Sequence, residues 1–257
     1  MLAHAVETAL GDLADLFDSN DQAFARRVFA TPLAIYLDRL KAIGFTGLEA
    51  VLDSGCGFGQ WSLALARLNR QILAQDMAPG RVRFLQRLAA ALGQENLRVA
   101  QATLPRTELP DAAYDAIVCY QTIFCTPFEA SLREYHRILR PGGRLYLNGN
   151  GLGYYIYRWK SNANATETFS PQRSAALSFL NTLVYRETKQ APREGQLIID
   201  PEEMAEALRA AGFAIVAQGG DGTIRIDAAA PAPKPFFRSE YYGLPGCYEI
   251  LATRVPS

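Results

Sequence analysis

The 257-residue sequence contains little cysteine and histidine and has no net charge of either sign. Its four cysteines include no CxxC pair and are too sparse for a disulfide scaffold, so we expect reduced thiols and no zinc knuckle. The two histidines lie far apart in the sequence, and no metal site is predicted. Acidic and basic residues balance at 26 each, which argues against a protein that holds nucleic acid by bulk charge.

Long apolar runs and a basic leader are also missing. No stretch approaches the roughly 18–20 apolar residues needed to cross a bilayer. The first residues, MLAHAVETALGDLADLFD, carry early acids and no basic region ahead of an apolar core, unlike a signal peptide. We therefore expect a cytoplasmic protein without a membrane span. A hydrophobic content of 49% is sufficient for a packed core.

The central part of the chain alternates short apolar runs with helical stretches. This alternation predicts a mostly parallel sheet covered by helices on both faces. The predicted strands are 50–53, 71–75, 97–101, 114–120, 144–148, 213–218 and 247–254, and the predicted helices between them are 61–68, 81–93, 129–140 and 201–211.

Two flanking segments break this rhythm. Residues 1–45 show helical spacing only and predict an N-terminal helical cap on a main domain of residues 46–257. Residues 150–200, rich at their start in glycine, asparagine and aromatic side chains, are too long for a plain connection and predict an inserted lid. A proline segment at 230–237 lies in a long loop before the last strand.

The most informative motif is LDSGCGFGQW at 52–61, a buried strand that runs into a glycine-rich turn and opens a helix. Glycines allow a tight turn and close approach of the backbone to a ligand, and the helix start offers free N–H groups. Asp76 ends the next strand, where a carboxylate can accept both hydroxyls of a ribose. These features predict an adenosine-containing cofactor across the carboxyl ends of the strands.

Two classes of cofactor compete for such a turn. A dinucleotide site uses GxGxxG, whereas this turn reads GxGxG and Gln60 stands where the third glycine belongs. Asp53 would repel a pyrophosphate but would attract an ammonium group. A ligand with an amine near Asp53 and a ribose near Asp76 matches S-adenosylmethionine.

Four segments in order resemble the class I S-adenosylmethionine-dependent methyltransferases over roughly residues 48–150. They are LDSGCGFG (52–59), QDMAPGRVRFLQRL (75–88), LRVAQATLPRTELPDAAYDAIVCYQTIF (97–124) and EYHRILRPGGRLYLN (134–148). The resemblance implies an α/β fold: a doubly wound, Rossmann-like, seven-stranded sheet that is mostly parallel, with an antiparallel last strand and helices on both faces.

The resemblance also implies roles for individual residues. Asp53 and the turn from Gly55 through Cys56 to Gly57 would hold the amino-acid end of the cofactor. Asp76 would hold the ribose, while the adenine would lie beside Met77, Thr103 and Leu104. Many relatives carry an acidic residue at the position of Thr103, where it contacts the adenine. Thr103 would replace that contact only in part. The end of the fourth strand would face cofactor and substrate through Cys119, Tyr120 and Gln121.

The aromatic start of the lid is the best sequence clue to a substrate. Tyr154, Tyr155 and Trp159, with Arg158 between them, predict a wall and a charged clamp over the active site. The alternative is a lid that packs on its own body. Nearby asparagines such as Asn148 and Asn150 either bind polar groups or shape turns.

The implied reaction is methyl transfer to an oxygen or nitrogen atom of a small-molecule or sugar-like, glycan-like acceptor. The sequence identifies no catalytic residue beyond two candidate bases, Tyr120 and Tyr155. The alternatives are a tRNA or RNA methyltransferase, a non-catalytic S-adenosylmethionine-binding partner protein, and a nucleotide-dependent oxidoreductase. The substrate and the oligomeric state do not follow from the sequence.

Overall fold

The computed structural model describes residues 1–190, 192–226 and 232–255. Its main feature is a seven-stranded sheet with the strand order β3-β2-β1-β4-β5-β9-β6. The strands are β1 (Ala50–Ser54), β2 (Gln71–Asp76), β3 (Leu97–Gln101), β4 (Tyr114–Cys119), β5 (Leu139–Asn150), β6 (Phe213–Gly220) and β9 (Cys247–Arg254), while β7 (Glu240–Tyr241) and β8 (Leu244–Pro245) form a separate hairpin.

Strands β1 to β5 pair in parallel, and β9 runs antiparallel to both of its neighbours, β5 and β6. The central strands are apolar on both faces because helices cover both sides, as in β4, where Ala116, Ile117 and Val118 are all buried. The predicted fold class, a mostly parallel seven-stranded sheet with an antiparallel last strand, is confirmed.

Nine α-helices occur in the described residues. They are α1 (Leu2–Asp12), α2 (Ser19–Ala30), α3 (Leu33–Ala42), α4 (Gln60–Leu68), α5 (Pro79–Ala91), α6 (Phe128–Ile138), α7 (Leu152–Ser161), α8 (Pro171–Thr188) and α9 (Pro201–Ala210). Short 3-10 turns lie at Ala14–Leu16 and Ile123–Cys125. No described helix has both the length and the apolar character that a membrane span requires.

Two apolar clusters hold the helices on the sheet. On one face, Val6 and Leu10 of α1 join Phe58, Phe84 and other residues of the first half of the chain. On the other face, α6 and α9 pack on the sheet through residues such as Leu132 and Leu208. The N-terminal helices therefore belong to the layer that covers one face of the sheet.

Some predicted boundaries are wrong. The strand predicted at 144–148 is the twelve-residue β5, because the Arg140–Gly143 turn continues its pairing with β4 through a register shift. The strand predicted to reach Tyr120 ends at Cys119, since Gln121 takes a left-handed φ of 56°. Of the predicted proline segment, residues 230 and 231 lie outside the described residues.

Candidate functional site

The glycine turn after β1 is anchored to the end of β2. The N–H groups of Gly55 and Cys56 both donate to the carbonyl oxygen of Gln75, at 2.8 and 2.9 Å. Gly55, Gly57 and Gly59 all have positive φ, of 74°, 57° and 93°. These conformations are open to glycine and costly for other residues, which explains the glycine spacing.

The turn also contacts the loop after β4. A Cβ atom at Gly55 would lie only 2.2 Å from Oγ1 of Thr122, so a larger residue has no room there. The Thr122 hydroxyl donates to the carbonyl oxygen of Gly55 at 3.2 Å. The carboxyl ends of β1 and β4 are thereby brought together, where parallel α/β sheets bind ligands.

Asp76 is held in a fixed orientation at the end of β2. Its Oδ2 accepts from the N–H of Gly57 at 2.9 Å, and its Oδ1 accepts from the N–H of Ala78 at 2.9 Å. The residue is 7% exposed and borders a cavity. A carboxylate in this position is the group predicted to accept hydroxyl groups of a ribose.

Asp53, predicted to hold an ammonium group, is buried beside the first turn of α4. It is 1% exposed, and its Oδ2 accepts a 2.5 Å hydrogen bond from the hydroxyl of Ser62 in the first turn of α4. Burial raises the pKa of Asp53 to about 7, and the Ser62 hydrogen bond opposes this shift. In the structure the Asp53 side chain links the end of β1 to the start of α4 through this hydrogen bond. Its contact with a cofactor stays a prediction.

A cavity of about 290 Å³ lies at the carboxyl ends of β1, β2 and β3. It combines the Asp76 carboxylate with an apolar wall from Met77 and Leu104, which suits a ribose and a flat purine ring. The residues that line it are Ser54, Gly55, Gln75, Asp76, Met77, Ala102, Thr103, Leu104, Thr107, Thr122, Cys125, Thr126, Pro127, Pro192 and Arg193.

Five residues predicted for the cofactor line this cavity: Gly55, Asp76, Met77, Thr103 and Leu104. The other predicted residues lie around it without lining it. They are Asp53, Cys56, Gly57, Cys119 and Tyr120. Cys119 is fully buried, and burial raises the pKa of its thiol to about 12.

The other residues that line the cavity are not among those predicted from the sequence. Four of them follow β4: Thr122, Cys125, Thr126 and Pro127. Their position after the carboxyl end of a parallel strand could have indicated them as ligand-site candidates from the sequence. Arg193, which follows the lid helix α8, carried no such signal because a contact across the fold brings it to the cavity.

A larger depression of about 810 Å³ lies elsewhere on the molecule. It runs along β2 and β3 from their amino ends, past Leu73 and Arg98. A loop instead of a helix joins β3 to β4 and leaves this side of the two strands open. None of the glycine turn lines it, so the smaller cavity is the better candidate for the cofactor.

Beside the cofactor cavity, three amide side chains meet at the carboxyl ends of β4 and β5. Gln121 donates through Nε2 to the Oδ1 atoms of Asn148 and Asn150, and accepts from Asn150 Nδ2 at 3.0 Å. Both asparagines are buried, and Asn148 Nδ2 has no hydrogen-bond partner in the structure. A buried amide without a partner costs free energy, so the cluster contains one unsatisfied hydrogen-bond donor.

Aromatic side chains form the floor next to these amides. The Tyr120 ring packs on Trp61 at 4.7 Å and on Phe236 at 6.0 Å. Its hydroxyl donates to Asp221 Oδ1 at 2.7 Å. Burial raises the pKa of Tyr120 well above the usual value, and Asp221 raises it further, so this phenol is poorly suited to act as a base.

The lid residues separate into buried and exposed groups. Tyr154 packs against Tyr155 and Tyr241, and the guanidinium of Arg158 lies 5.6 Å from its ring. Tyr155 is fully buried, its hydroxyl donates to the carbonyl oxygen of Leu197 at 3.0 Å, and burial raises its pKa. Trp159 is 55% exposed, so it faces solvent rather than a closed pocket.

The start of the lid is fixed by an unexpected cap. Asp200, which the sequence places before α9, makes no side-chain bond to that helix. Its Oδ1 instead accepts from the N–H of Leu152 at 3.0 Å, at the first residue of α7. Two segments about fifty residues apart along the chain are joined by this hydrogen bond.

Comparison with known proteins agrees with this geometry. Residues 51–143 match the family model described as a methyltransferase domain. The malonyl-[acyl-carrier protein] O-methyltransferase of Serratia marcescens is 32% identical over 98 residues, 37% of this chain and 36% of that protein. The ubiquinone biosynthesis O-methyltransferase of Xanthomonas campestris pv. campestris (strain B100) is 37% identical over 101 residues, 38% of this chain and 41% of that protein. The chain thus spans about two fifths of the length of these curated relatives.

Solved structures match over more of the chain but at lower identity. Geranyl diphosphate C-methyltransferase from Streptomyces coelicolor A3(2) has a TM-score of 0.60 at 16% identity, over 86% of this chain and 78% of that one. The [4+2]-cyclase SpnF has a TM-score of 0.57 at 18% identity, over 88% and 81%. Such likeness shows the fold alone, and a cyclase among these structures indicates that the fold is not limited to one reaction.

Residues 51–143 are therefore a methyltransferase domain, and the chain has the fold of the class I S-adenosylmethionine-dependent methyltransferases. The predicted family is thereby confirmed for residues 51–143, and the predicted fold is confirmed for the chain.

Proposed function

We propose that the protein transfers a methyl group from S-adenosylmethionine to an oxygen or nitrogen atom of a small-molecule acceptor. One relationship carries the proposal: Thr122 lines the cofactor cavity, while Gln121, the preceding residue, belongs to the amide cluster with Asn148 and Asn150. Cofactor and acceptor would then meet on the two sides of one short loop.

When bound, S-adenosylmethionine supplies an electrophilic methyl group on a sulfonium. The contribution of this chain is to bind, orient and exclude water. Asp76 would hold the ribose, and Met77 and Leu104 would contact the adenine. The partnerless Nδ2 of Asn148 would donate to a polar group of the acceptor, and the Tyr120 and Trp61 rings would cover its apolar part.

The acceptor must lose a proton when it is methylated, and the bases available in the protein limit which acceptors are suitable. The two tyrosines considered as bases each donate their hydroxyl proton to a neighbour, and each has a raised pKa. Neither side chain is suited to take a proton from an acceptor. We therefore favour an acceptor that loses its proton readily, such as an acidic hydroxyl or an amine, and we expect Tyr155→Phe to retain turnover.

Other features favour oxygen as the methylated atom and a small acceptor. Both curated relatives are named O-methyltransferases. The zero net charge speaks against a tRNA or RNA substrate, which a protein binds largely through basic residues. A sugar-like acceptor suits the amide cluster, and a more apolar ring suits the aromatic floor. A cytoplasmic location stays a prediction.

Calorimetric titration with S-adenosylmethionine and S-adenosylhomocysteine tests the proposal. We expect micromolar binding by the wild-type protein and loss of binding in Asp76→Ala, while Glu206→Ala, at an exposed position of α9, binds normally. Transfer of a labelled methyl group to phenols, amines and glycosides would then identify the acceptor. Absence of wild-type binding would contradict the proposal, and nicotinamide binding in its place would favour an oxidoreductase.

Two further outcomes distinguish the remaining alternatives. Cofactor binding without transfer to any acceptor would indicate a non-catalytic partner protein. Tight, salt-sensitive tRNA binding together with methylated tRNA would indicate an RNA methyltransferase.

A further inference from the structure

The lid helix α8 carries apolar side chains on its exposed face as well as on its buried face. Its buried face includes Ser178 and Thr182, whose hydroxyls donate to backbone carbonyl oxygens one turn earlier at 2.9 and 2.7 Å. On the opposite face, Leu180 and Leu183 are 57% and 62% exposed, and Val184 is 46% exposed. A helix of a water-soluble monomer usually buries its apolar side chains. The exposed apolar side chains of α8 therefore indicate a surface that is covered by a binding partner.

The outer face forms one continuous stripe along the helix. At 100° per residue around the helix axis, every member of this face lies within about 60° of the line through Leu180. We call this set the outer stripe, and it consists of Arg173, Ala176, Leu177, Leu180, Leu183, Val184 and Glu187. Its centre is apolar, and its two ends carry opposite charges.

The spacing of the outer stripe makes it complementary to itself. Arg173 precedes Leu180 by seven residues, and Glu187 follows it by seven. If two copies of α8 pack antiparallel about a two-fold axis at Leu180, each Arg173 meets Glu187 of the other copy. The same pairing sets Ala176 opposite Val184, a small side chain against a larger one.

Both charged ends are available for such pairing. Over the described parts of the chain, the side chains of Arg173 and Glu187 take part in no ion pair. Their basic neighbours are already engaged, since Arg186 lies 3.3 Å from Glu203 and Lys189 lies 2.8 Å from Glu129. The two free charges of α8 are therefore the two that the antiparallel pairing would join.

We propose that the protein forms a two-fold symmetric dimer through the outer stripe of α8. The charge pattern favours a second copy over a lipid surface, because an anionic membrane attracts a stripe of one sign, whereas this stripe carries one charge of each sign. The dimer would cover the apolar face of the lid and hold α7 and α8 in place beside the acceptor site. This proposal is independent of the methyl-transfer chemistry.

Sedimentation velocity and light scattering of the full chain over a range of protein concentrations test the dimer. We expect a wild-type dimer, and a monomer for Leu180→Asp. The matched control is Val216→Asp, on edge strand β6, where valine is similarly exposed at 52%. This control should remain a dimer. Circular dichroism melts confirm that each variant is folded.

A charge exchange then tests the antiparallel arrangement itself. Arg173→Glu alone should raise the dimer dissociation constant by about tenfold or more, because it places four acids at the interface. Adding Glu187→Arg to it should restore the wild-type constant. Failure of the double variant to recover would overturn the proposed pairing.

Three other results would also overturn the proposal. They are a wild-type monomer at every concentration, a Leu180→Asp variant that still dimerises, and a monomer that binds anionic vesicles. Tryptophan emission reports the last case, because Trp159 in helix α7 of the lid is exposed and Trp61, the other tryptophan, is buried. A shift of emission to shorter wavelength with phosphatidylserine vesicles would assign the stripe to lipid.

Discussion

The guanidinium of Arg39 lies 2.8 Å from Asp221 Oδ1, and neither side chain has any exposed surface. The same Nη1 atom donates to Glu249 at 2.8 Å. Burial by itself would lower the pKa of Arg39, but its surrounding partners, foremost the Tyr146 hydroxyl and the Asp221 carboxylate, outweigh burial and raise it. Asp221 also accepts from Tyr120 and from the N–H groups of residues 236 and 237, so this network joins α3 to the aromatic side chains beside the amide cluster.

Removal of this cation should destabilise the protein strongly. Arg39→Met leaves the carboxylates of Asp221 and Glu249 buried with no positive charge, and we expect a loss of about 3–5 kcal/mol in the free energy of unfolding. Urea unfolding at neutral pH measures it. The matched control is Arg26→Met, which removes an exposed ion pair with Glu7 and should unfold like the wild type. An Arg39→Met variant as stable as the control would show that the network contributes little.

The stability of the protein should depend on pH through Asp53. Burial raises its folded-state pKa from the ordinary 3.8 to about 7. Since the folded-state pKa is the higher one, its favourable contribution is complete below about pH 3.8 and is lost as the pH rises through about 7. Asp53→Asn removes this dependence, so its stability relative to the wild type should increase as the pH rises from about 4 to about 7 and should stay constant above that.

Urea unfolding across this pH range measures the difference. Asp15→Asn, at an exposed carboxylate, is the control and should follow the wild type at every pH. A constant difference between Asp53→Asn and the wild type over the whole range would indicate that Asp53 is ionised throughout.

Two glycine substitutions can separate the effect of backbone strain on stability from the effect of a displaced glycine turn on cofactor binding. Gly55→Ala places a Cβ atom 2.2 Å from Thr122 Oγ1 and should lower affinity for S-adenosylhomocysteine by at least about tenfold, because the turn must move away from β4. Gly93→Ala also has a positive φ, 62°, but its Cβ meets nothing within 4 Å. Both variants should lose about 1 kcal/mol of stability from φ strain, and only Gly55→Ala should lose binding in calorimetry. Equal affinities in the two variants would argue against this cavity as the cofactor site.

Arg193 should report cofactor binding because it lines the cofactor cavity from the lid side while remaining exposed. We expect S-adenosylhomocysteine to protect the Arg193–Glu194 bond from trypsin, followed by mass spectrometry. Arg193→Ala should weaken binding about threefold to fivefold, as for loss of a guanidinium stacked on an aromatic ring. Arg209→Ala, exposed on α9, is the control. Cleavage at an unchanged rate with the ligand bound would show that this segment does not close on the cavity.

The parts of the fold that depend on neighbouring residues were well predicted. The predicted bounds of β3 (Leu97–Gln101) and β9 (Cys247–Arg254) agree with the structure residue for residue, because short segments with apolar residues between turn residues carry a local signal. The glycine turn was found for the same reason, since positive φ at Gly55 and Gly57 limits the choice of residue at each position.

The site was predicted only where one segment supplies it. Asp76 and Met77 follow directly from their place at the end of β2, and both line the cavity. Tyr155, predicted to face a substrate, is buried instead under Gln196 and Leu197. Consecutive residues of a helix point to different sides, and the sequence alone does not tell which side packs on the body.

Local sequence is enough to predict the central strands and helices, the tight turn after β1 and the carboxylate at the end of β2, because each depends on local conformation and on the periodicity of apolar residues. The pairing of Arg39 with Asp221 and Glu249, which are 182 and 210 residues away along the chain, follows only from packing across the fold, and so does the position of Arg193 at the cavity beside Asp76. A buried charge requires a partner, but any acid of opposite sign satisfies that need, and the packing of helices on the sheet selects which one it meets.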